Sequence, residues 1–347
     1  MKEQIINAAD LQQAIDTQLE TQKHDKTFIL TDTTTGKLCL PMLNISNAHV
    51  MTIGETDAYK TLSSLSYVMS ELVDNGASRH SLLINLGGGM VSDLGGFAAS
   101  IFKRGIKCIN IPTTLLGMVD ASIGGKTGVN FCGLKNALGT FSPPLCVLIN
   151  TQFLTTLNSK DILSGYAEII KHSLLYNSEH WTKVLSTELI PTKQFLQTAD
   201  LQQLVFENVQ IKARFVEADP HEHGIRKALN FGHTFGHAFE SFSNSKLTHG
   251  YAVAYGMICE LYLSTVKTGF PADKMRQTVC YIRENYGNMP LECKDYDSLI
   301  KLMQHDKKNS YGQIYPVLLA DIGVPVLSQS ITDSDIKESF DFFREGF

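Results

Sequence analysis

No two of the seven cysteines (Cys39, Cys108, Cys132, Cys146, Cys259, Cys280 and Cys293) stand in a C-x-x-C spacing. Their odd number and scatter argue against a disulfide framework and a cysteine-based zinc site, and read instead as buried free thiols in a reducing compartment. No basic run interrupts a chain of formal charge −5, which argues against nucleic acid or an anionic membrane as partner. No apolar stretch approaches the roughly 20 residues that span a bilayer. The N-terminal Met-Lys-Glu-Gln-Ile-Ile-Asn lacks the apolar core of a secretion signal, so a cytoplasmic location is expected. Internal repeats and low-complexity tracts are also missing. What remains is ordinary globular composition, 43% hydrophobic and 19% charged, over 347 residues, enough chain for two domains with substantial cores.

The first half alternates apolar runs with helical patterns. Residues 1–60 read as an opening βαβ unit, with a helix over Ala9–Glu20 and a buried strand over Thr27–Asp32. A carboxylate at the end of such a strand can accept from a ribose hydroxyl, although Asp-Thr-Thr-Thr-Gly is equally turn chemistry. A helix is expected near Leu62–Asn75. Ser81–Leu86 then reads as a strand running into Gly87-Gly88-Gly89-Met90-Val91-Ser92-Asp93-Leu94-Gly95-Gly96-Phe97. Strand, glycine turn and helix start together bring backbone amides to a pyrophosphate; the alternative is a tight packing turn. Cys108–Pro112 is a further strand, followed by Thr113-Thr114 and then Asp120 to Gly128. Gly125-Lys126-Thr127 imitates the tail of a P-loop, but the motif's first glycine would fall on Asp120 and no strand feeds it. The segment reads as a loop offering Lys126 to an anion with Asp120 as partner, and Lys135-Asn136 and Gly139 continue it. Val147–Asn150 closes this half.

From about Lys160 helical patterns dominate. Asp161–Tyr176 carries Glu168, Lys171 and His172, which could be no more than a solvated charge pair. Ala199–Ala218 carries Lys212. Ala252–Phe270 is long and apolar, Ile314–Leu319 a strand or hairpin limb, and 331–347 a terminal helix. The most distinctive stretch is Leu229 to Gly250, which holds three of the eleven histidines. His233 and His237 are four apart and share a helix face. His249 follows the turn-forming Ser241-Phe242-Ser243-Asn244-Ser245. Imidazoles so arranged could hold a divalent metal, or could be satisfied core histidines.

Together the motifs Gly87–Phe97, Pro112-Thr113-Thr114-Leu115-Leu116, Gly124–Asn130, Lys135-Asn136, Gly165-Tyr166-Ala167-Glu168-Ile169-Ile170-Lys171, Leu229–Glu240 and Asp306-Lys307-Lys308 resemble 3-dehydroquinate synthases of the sugar phosphate cyclase family. The resemblance covers roughly residues 55–325. It implies a Rossmann-like α/β NAD-binding domain over 1–158 and a mainly helical metal- and substrate-binding domain over 159–347, with the active site in the cleft between them. It implies a divalent ion, zinc or cobalt, on Glu168, His233 and His249, with His237 turned to the substrate instead.

The family reaction is a phosphate-eliminating lyase reaction of the shikimate pathway. It takes 3-deoxy-D-arabino-heptulosonate 7-phosphate to 3-dehydroquinate by NAD-mediated transient oxidation, phosphate elimination, re-reduction and aldol closure. A dianionic phosphate and a carboxylate call for several cations. The matching positions are Arg104, Lys126, Lys135, Asn136, Lys171, Lys212, Arg226, Asn230, His237 and Lys307, with Asp120, Lys126, Lys171, Glu222 and His237 as the catalytic set. For NAD they are Asp32, Asp57, Lys60, Gly89, Met90, Val91, Ser92, Asp93, Thr113, Thr114, Lys126, Lys135, Phe153, Leu154, Thr155 and Thr156. Arg104 matches an arginine that reaches a neighbouring subunit's phosphate pocket, which implies a homodimer.

Four positions depart from the family pattern. Ser92 replaces a glycine, Asn150 an aspartate, Asp57 a glutamate, and Tyr251 the glutamate that follows His-Gly, an acid that could orient His249. Three other readings stand beside this one: another sugar phosphate cyclase, a metal-dependent polyol dehydrogenase that would turn NAD over, and a catalytically silent NAD-binding scaffold.

Overall fold

The computed structural model describes residues 3–187, 192–243, 246–304 and 313–346. The chain divides into two compact units: Met1–Ile162 with Pro191–Ala213, and Leu163–Ile190 with Arg214–Phe347. The division at 162/163 and the return of 191–213 to the first unit differ from a single boundary after residue 158.

The first unit is built on a parallel sheet of six strands: β1 (Gln4–Asn7), β2 (Thr27–Asp32), β3 (Ala48–Ile53), β4 (Leu82–Gly87), β5 (Lys107–Pro112) and, after a separate hairpin of β6 (Lys126–Phe131) and β7 (Leu134–Phe141), β8 (Cys146–Ile149). The order across the sheet is β1-β8-β5-β4-β2-β3. β2 and β4 are buried along their whole length, as strands covered on both faces must be. Helices Leu11–Thr21 and Leu62–Asp74 start where Asp10 and Thr61 accept from the Gln13 and Ser64 amides. The chain runs outward from β2 to β3 and resumes on β2's other side with β4. The carboxyl ends of β2 and β4 therefore flank the switch point at which open α/β sheets take their ligands.

The second unit is mainly helical. Its spine is the helix His249–Thr268, buried along most of its length and ended by Gly269 in the left-handed region at φ 78°. Around it stand helices His233–Phe242, Ala272–Tyr286, Tyr296–Gln304 and Asp333–Glu345, and the antiparallel hairpin of β9 (Leu318–Asp321) and β10 (Val324–Val326). Phe235, Phe239, Phe340 and Phe343 pack edge to face or tilted, centroids 5.4–5.9 Å apart, and lock the terminal helix onto the histidine helix. No helix of the described residues is long and apolar enough to cross a membrane.

Three expectations need correction. The opening segment is not one contiguous βαβ unit, because β1 lies beside β8 while β2 pairs with β3 and β4. The glycine-rich loop around Lys126, Lys135 and Asn136 is the β6–β7 hairpin, in which Gly128 and Gly139 cross; a Cβ on Gly139 would stand 2.0 Å from the Thr127 carbonyl oxygen. Of the seven free thiols, Cys132, Cys280 and Cys293 are exposed rather than buried. Residues 244–245 of the turn after the histidine helix, and His305 to Lys308 with Lys307, lie outside the described residues.

Candidate metal and nucleotide sites

In the second unit three segments deliver three donors. Glu168 comes from the helix Ser159–Leu174, His233 opens the helix His233–Phe242, and His249 opens the spine helix. Their ligand atoms all lie within 4.8 Å of one another. His249 Nε2 is 3.4 Å and His233 Nε2 3.8 Å from the same oxygen, Glu168 Oε1. Donors about 2.1 Å from a tetrahedral ion stand about 3.4 Å from each other, so the spacing fits a zinc-sized cation with a position to spare. His233 Nδ1 lies 3.1 Å from the Phe231 carbonyl oxygen. A carbonyl only accepts, so Nδ1 carries the proton and Nε2 presents its lone pair. Glu168 is fully buried, where a carboxylate requires cations, and its Oε2 is paired with Lys171 one turn along. Chemistry and spacing both fit a divalent metal.

His237 stands outside that triad. Its ring centroid is 5.3 Å from that of His233, nearly perpendicular, and 6.3 Å from that of His249. Glu240, one turn further, brings Oε2 to 3.7 Å from His249 Nδ1. Burial pushes the His249 pKa down, but hydrogen bonds and charge from Glu168 and Glu240 outweigh it and raise it to about 9. Glu240 thus places an acid beside His249 where Tyr251 offers none; the Tyr251 ring packs at 5.0 Å on Tyr286. Nearby in sequence, Arg226 is buried and donates through Nη1 to the Pro220 carbonyl at 2.6 Å. Asn230 donates to Glu222 Oε1 at 2.8 Å, with Glu222 itself at φ 59°.

In the first unit the helix Gly89–Ile101 starts immediately after β4, with Gly88 as N-cap and no side chain capping it. A Cβ on Gly89 would meet the Ala121 methyl at 2.8 Å, so the turn is closed against bulk while its amides stay presented. This is a fit for a dinucleotide's pyrophosphate. Met90 and Val91 continue the first turn, and Ser92 donates back to the Gly89 carbonyl at 3.0 Å, so its hydroxyl is folded onto its own helix. Asp93 Oδ2 pairs with the buried Lys60 at 2.5 Å; burial pushes the Asp93 carboxyl up against the pull of Lys60. Lys60 also donates to Asn136 Oδ1. Thr113 is buried and donates its amide to the Gly87 carbonyl, and Thr114 Oγ1 accepts from Gly117.

Asp32 at the β2 end accepts from the Thr34 and Thr35 amides through Oδ1 and so caps its own helix. Asp57 is exposed and accepts from Asn130 at 3.0 Å. In the turn Thr151–Thr156, Phe153 and Leu154 are buried, while Thr155 and Thr156 bond back to carbonyls three residues earlier. Asn150 donates through Nδ2 to the Ala8 carbonyl at 2.6 Å, a bond that an aspartate could not make. Asp120 sits in a π-helical turn, Gly117–Ala121, and its Oδ1 takes Lys212 Nζ at 2.7 Å. Arg104 is exposed in a run of positive φ, Lys103 48°, Arg104 70° and Gly105 114°.

Two carboxylates escaped the reading of the sequence. Glu240 could have been found, because positions 233, 237 and 240 follow i, i+4, i+7 on one face. Glu260, buried in the spine helix, left no local signal. Residues 50–164 match the 3-dehydroquinate synthase N-terminal family model and 165–309 the C-terminal one. A 3-dehydroquinate synthase of Parabacteroides distasonis is 48% identical, covering 100% of this chain and 99% of that protein. Among solved structures, 2-epi-5-epi-valiolone synthase from Streptomyces hygroscopicus subsp. jinggangensis, with NAD+ and Zn2+ bound, superposes with TM-score 0.84 at 23% identity over 99% of this chain and 97% of that one. A 2-deoxy-scyllo-inosose synthase complexed with carbaglucose-6-phosphate, NAD+ and Co2+ gives 0.82 at 22% identity, over 99% and 96%. The two structures share the fold, while both family models and the full-length relative place this chain in the 3-dehydroquinate synthase family.

Proposed function

We propose that the chain is the lyase that converts 3-deoxy-D-arabino-heptulosonate 7-phosphate to 3-dehydroquinate and phosphate. The observation that carries this reading is the convergence of His233 Nε2 and His249 Nε2 on Glu168 Oε1 in a chain that matches the family throughout. Glu168, His233 and His249 would hold a divalent ion, zinc or cobalt. The glycine turn at Gly88–Gly89, with Lys60, Asp93, Thr113 and Thr114, would hold NAD. When bound, the two supply a Lewis acid that acidifies a hydroxyl and a reversible hydride acceptor.

The remaining work falls to side chains. His237, half-buried and outside the ligand triad, is the group to move a proton at the substrate. Lys171, Arg226 and Lys212 supply charge for the phosphate and carboxylate, with Lys126, Lys135 and Lys307 as further cations. Glu222 fixes the amide of Asn230, a substrate-contacting side chain in this reading. Arg104, exposed on its left-handed turn, is read as reaching a second subunit of a homodimer. The free thiols suit a reducing cytoplasm.

The test is phosphate release from the heptulosonate phosphate, with NAD and zinc or cobalt, before and after chelation. Release without net NADH is expected, and its loss on chelation. Net NADH accumulation would point to a polyol dehydrogenase, and no release from metal- and NAD-loaded protein would sink the proposal. His249→Ala is expected to abolish metal binding. His237→Ala should keep the metal and slow turnover by roughly 10²- to 10⁴-fold.

A further inference from the structure

The helix that carries His233 begins at Gly232, which has no side chain to cap it. The cap comes from the spine helix. Glu260 Oε2 accepts from the Gly232 amide at 2.6 Å and Oε1 from the Thr234 amide at 3.2 Å, and Glu260 is completely buried. The Gly232 N–H and the Phe231 C=O are the two ends of one peptide group, and that carbonyl accepts from His233 Nδ1 at 3.1 Å.

We propose that Glu260 is a positioning residue that orients and electronically tunes His233 through the single peptide 231–232. The inference rests on the reading of His233 as a metal ligand. A carboxylate accepting from the peptide's N–H draws that proton toward itself and leaves more negative charge on the carbonyl oxygen. The carbonyl is then a stronger acceptor for Nδ1–H, which fixes the tautomer and makes Nε2 a better donor to a cation. Metal-bound histidines ordinarily receive this support from a carboxylate, a backbone carbonyl or water in direct contact with the ring. Here one peptide is interposed between Glu260 and the ring; Gly232 follows it at φ 79°, and Gly256 is bare beneath the next peptide, 232–233. A Cβ on Gly256 would lie 2.0 Å from the Gly232 carbonyl oxygen. Glu240 faces the other imidazole, so each histidine has its own carboxylate behind it.

The test uses the full chain stripped of metal and titrated with Co2+, followed by visible absorption. Glu260→Gln keeps the shape but can accept from only one of the two amides and carries no charge. Expected are a Co2+ dissociation constant raised roughly 10- to 100-fold and a shifted ligand-field band. Thr332→Ala, which removes a helix cap remote in sequence from His233, should leave both unchanged at a temperature where circular dichroism shows all proteins folded. A Glu260→Gln protein with an affinity within twofold of wild type and an unchanged band would overturn the relay, even if its melting temperature falls. If that variant does not fold, 15N spectra of histidine-labelled, zinc-loaded wild type decide. Metal on His233 Nε2 with an exchange-protected proton on Nδ1 is expected, and metal on Nδ1 overturns the proposal. Co2+ bound equally well by His233→Ala would overturn the ligand reading and the relay with it, whereas loss of binding in that variant beside unaltered Glu260→Gln overturns the relay alone.

Discussion

His249 in the metal-free protein holds its proton far beyond the range of an ordinary imidazole, to about pH 9 against 6.5. The folded state therefore binds that proton more tightly than the unfolded chain does. The stabilisation is complete below pH 6.5 and is lost as pH rises through 9. Melting of the chelated protein should show a falling transition temperature across this window, and His249→Gln should flatten it. An equal slope in both would mean that another group is responsible. The departures from the family pattern also resolve at this scale. Ser92 spends its hydroxyl on its own helix and Asn150 uses its amide on Ala8. His233 and His249 were legible because histidines are rare and stood among Gly, Asn and Thr, whereas Glu168, which alone reads as a charge pair, and the setting aside of His237 came only from the family resemblance. Glu260 was not legible, since its partners lie 26 and 28 residues away and its neighbours read as plain core.

Elements with a clear apolar pattern, whether buried throughout like Thr27–Asp32 or along one face like Ala199–Ala218, announced themselves. Thr27–Asp32 and Ala199–Ala218 run between the residues at which their apolar patterns start and stop. The β6–β7 hairpin did not, because its crossing glycines and polar residues erase the alternation by which a strand is recognised. Glycine also sets the separation of the histidine helix from the spine helix. Gly256→Ala would force a methyl to within 2.0 Å of the Gly232 carbonyl oxygen and 2.7 Å of the Gly236 amide nitrogen. The two helices must then part. The expected cost is about 1–3 kcal/mol in denaturant unfolding, together with weaker metal binding, since the displaced peptide, 232–233, joins directly to His233 and follows the one that accepts from its Nδ1. Undiminished stability would mean that the helices tolerate a wider spacing than their glycines suggest.

For the molecule as a whole, the order of motifs gave the family, while the return of 191–213 to the first unit was invisible, because a helix's amphipathic pattern does not name its partner. The proposed dimer is testable by mixing. Arg104→Ala and His249→Ala proteins, each inactive alone, should recover part of the wild-type rate once subunits exchange, because the mixed dimer contains one intact phosphate pocket with its metal. No recovery after verified exchange would confine Arg104 to its own subunit. The spine helix has one more consequence. It begins with His249 and carries Glu260 eleven residues on, about 16 Å along its axis. One rod thus holds a ligand at its tip and, at mid-length, the clasp on the strand of chain that bears another. Any axial slip would loosen both together, so on the proposed ligand assignment an ion held there would be released by the two imidazoles in one event rather than one at a time.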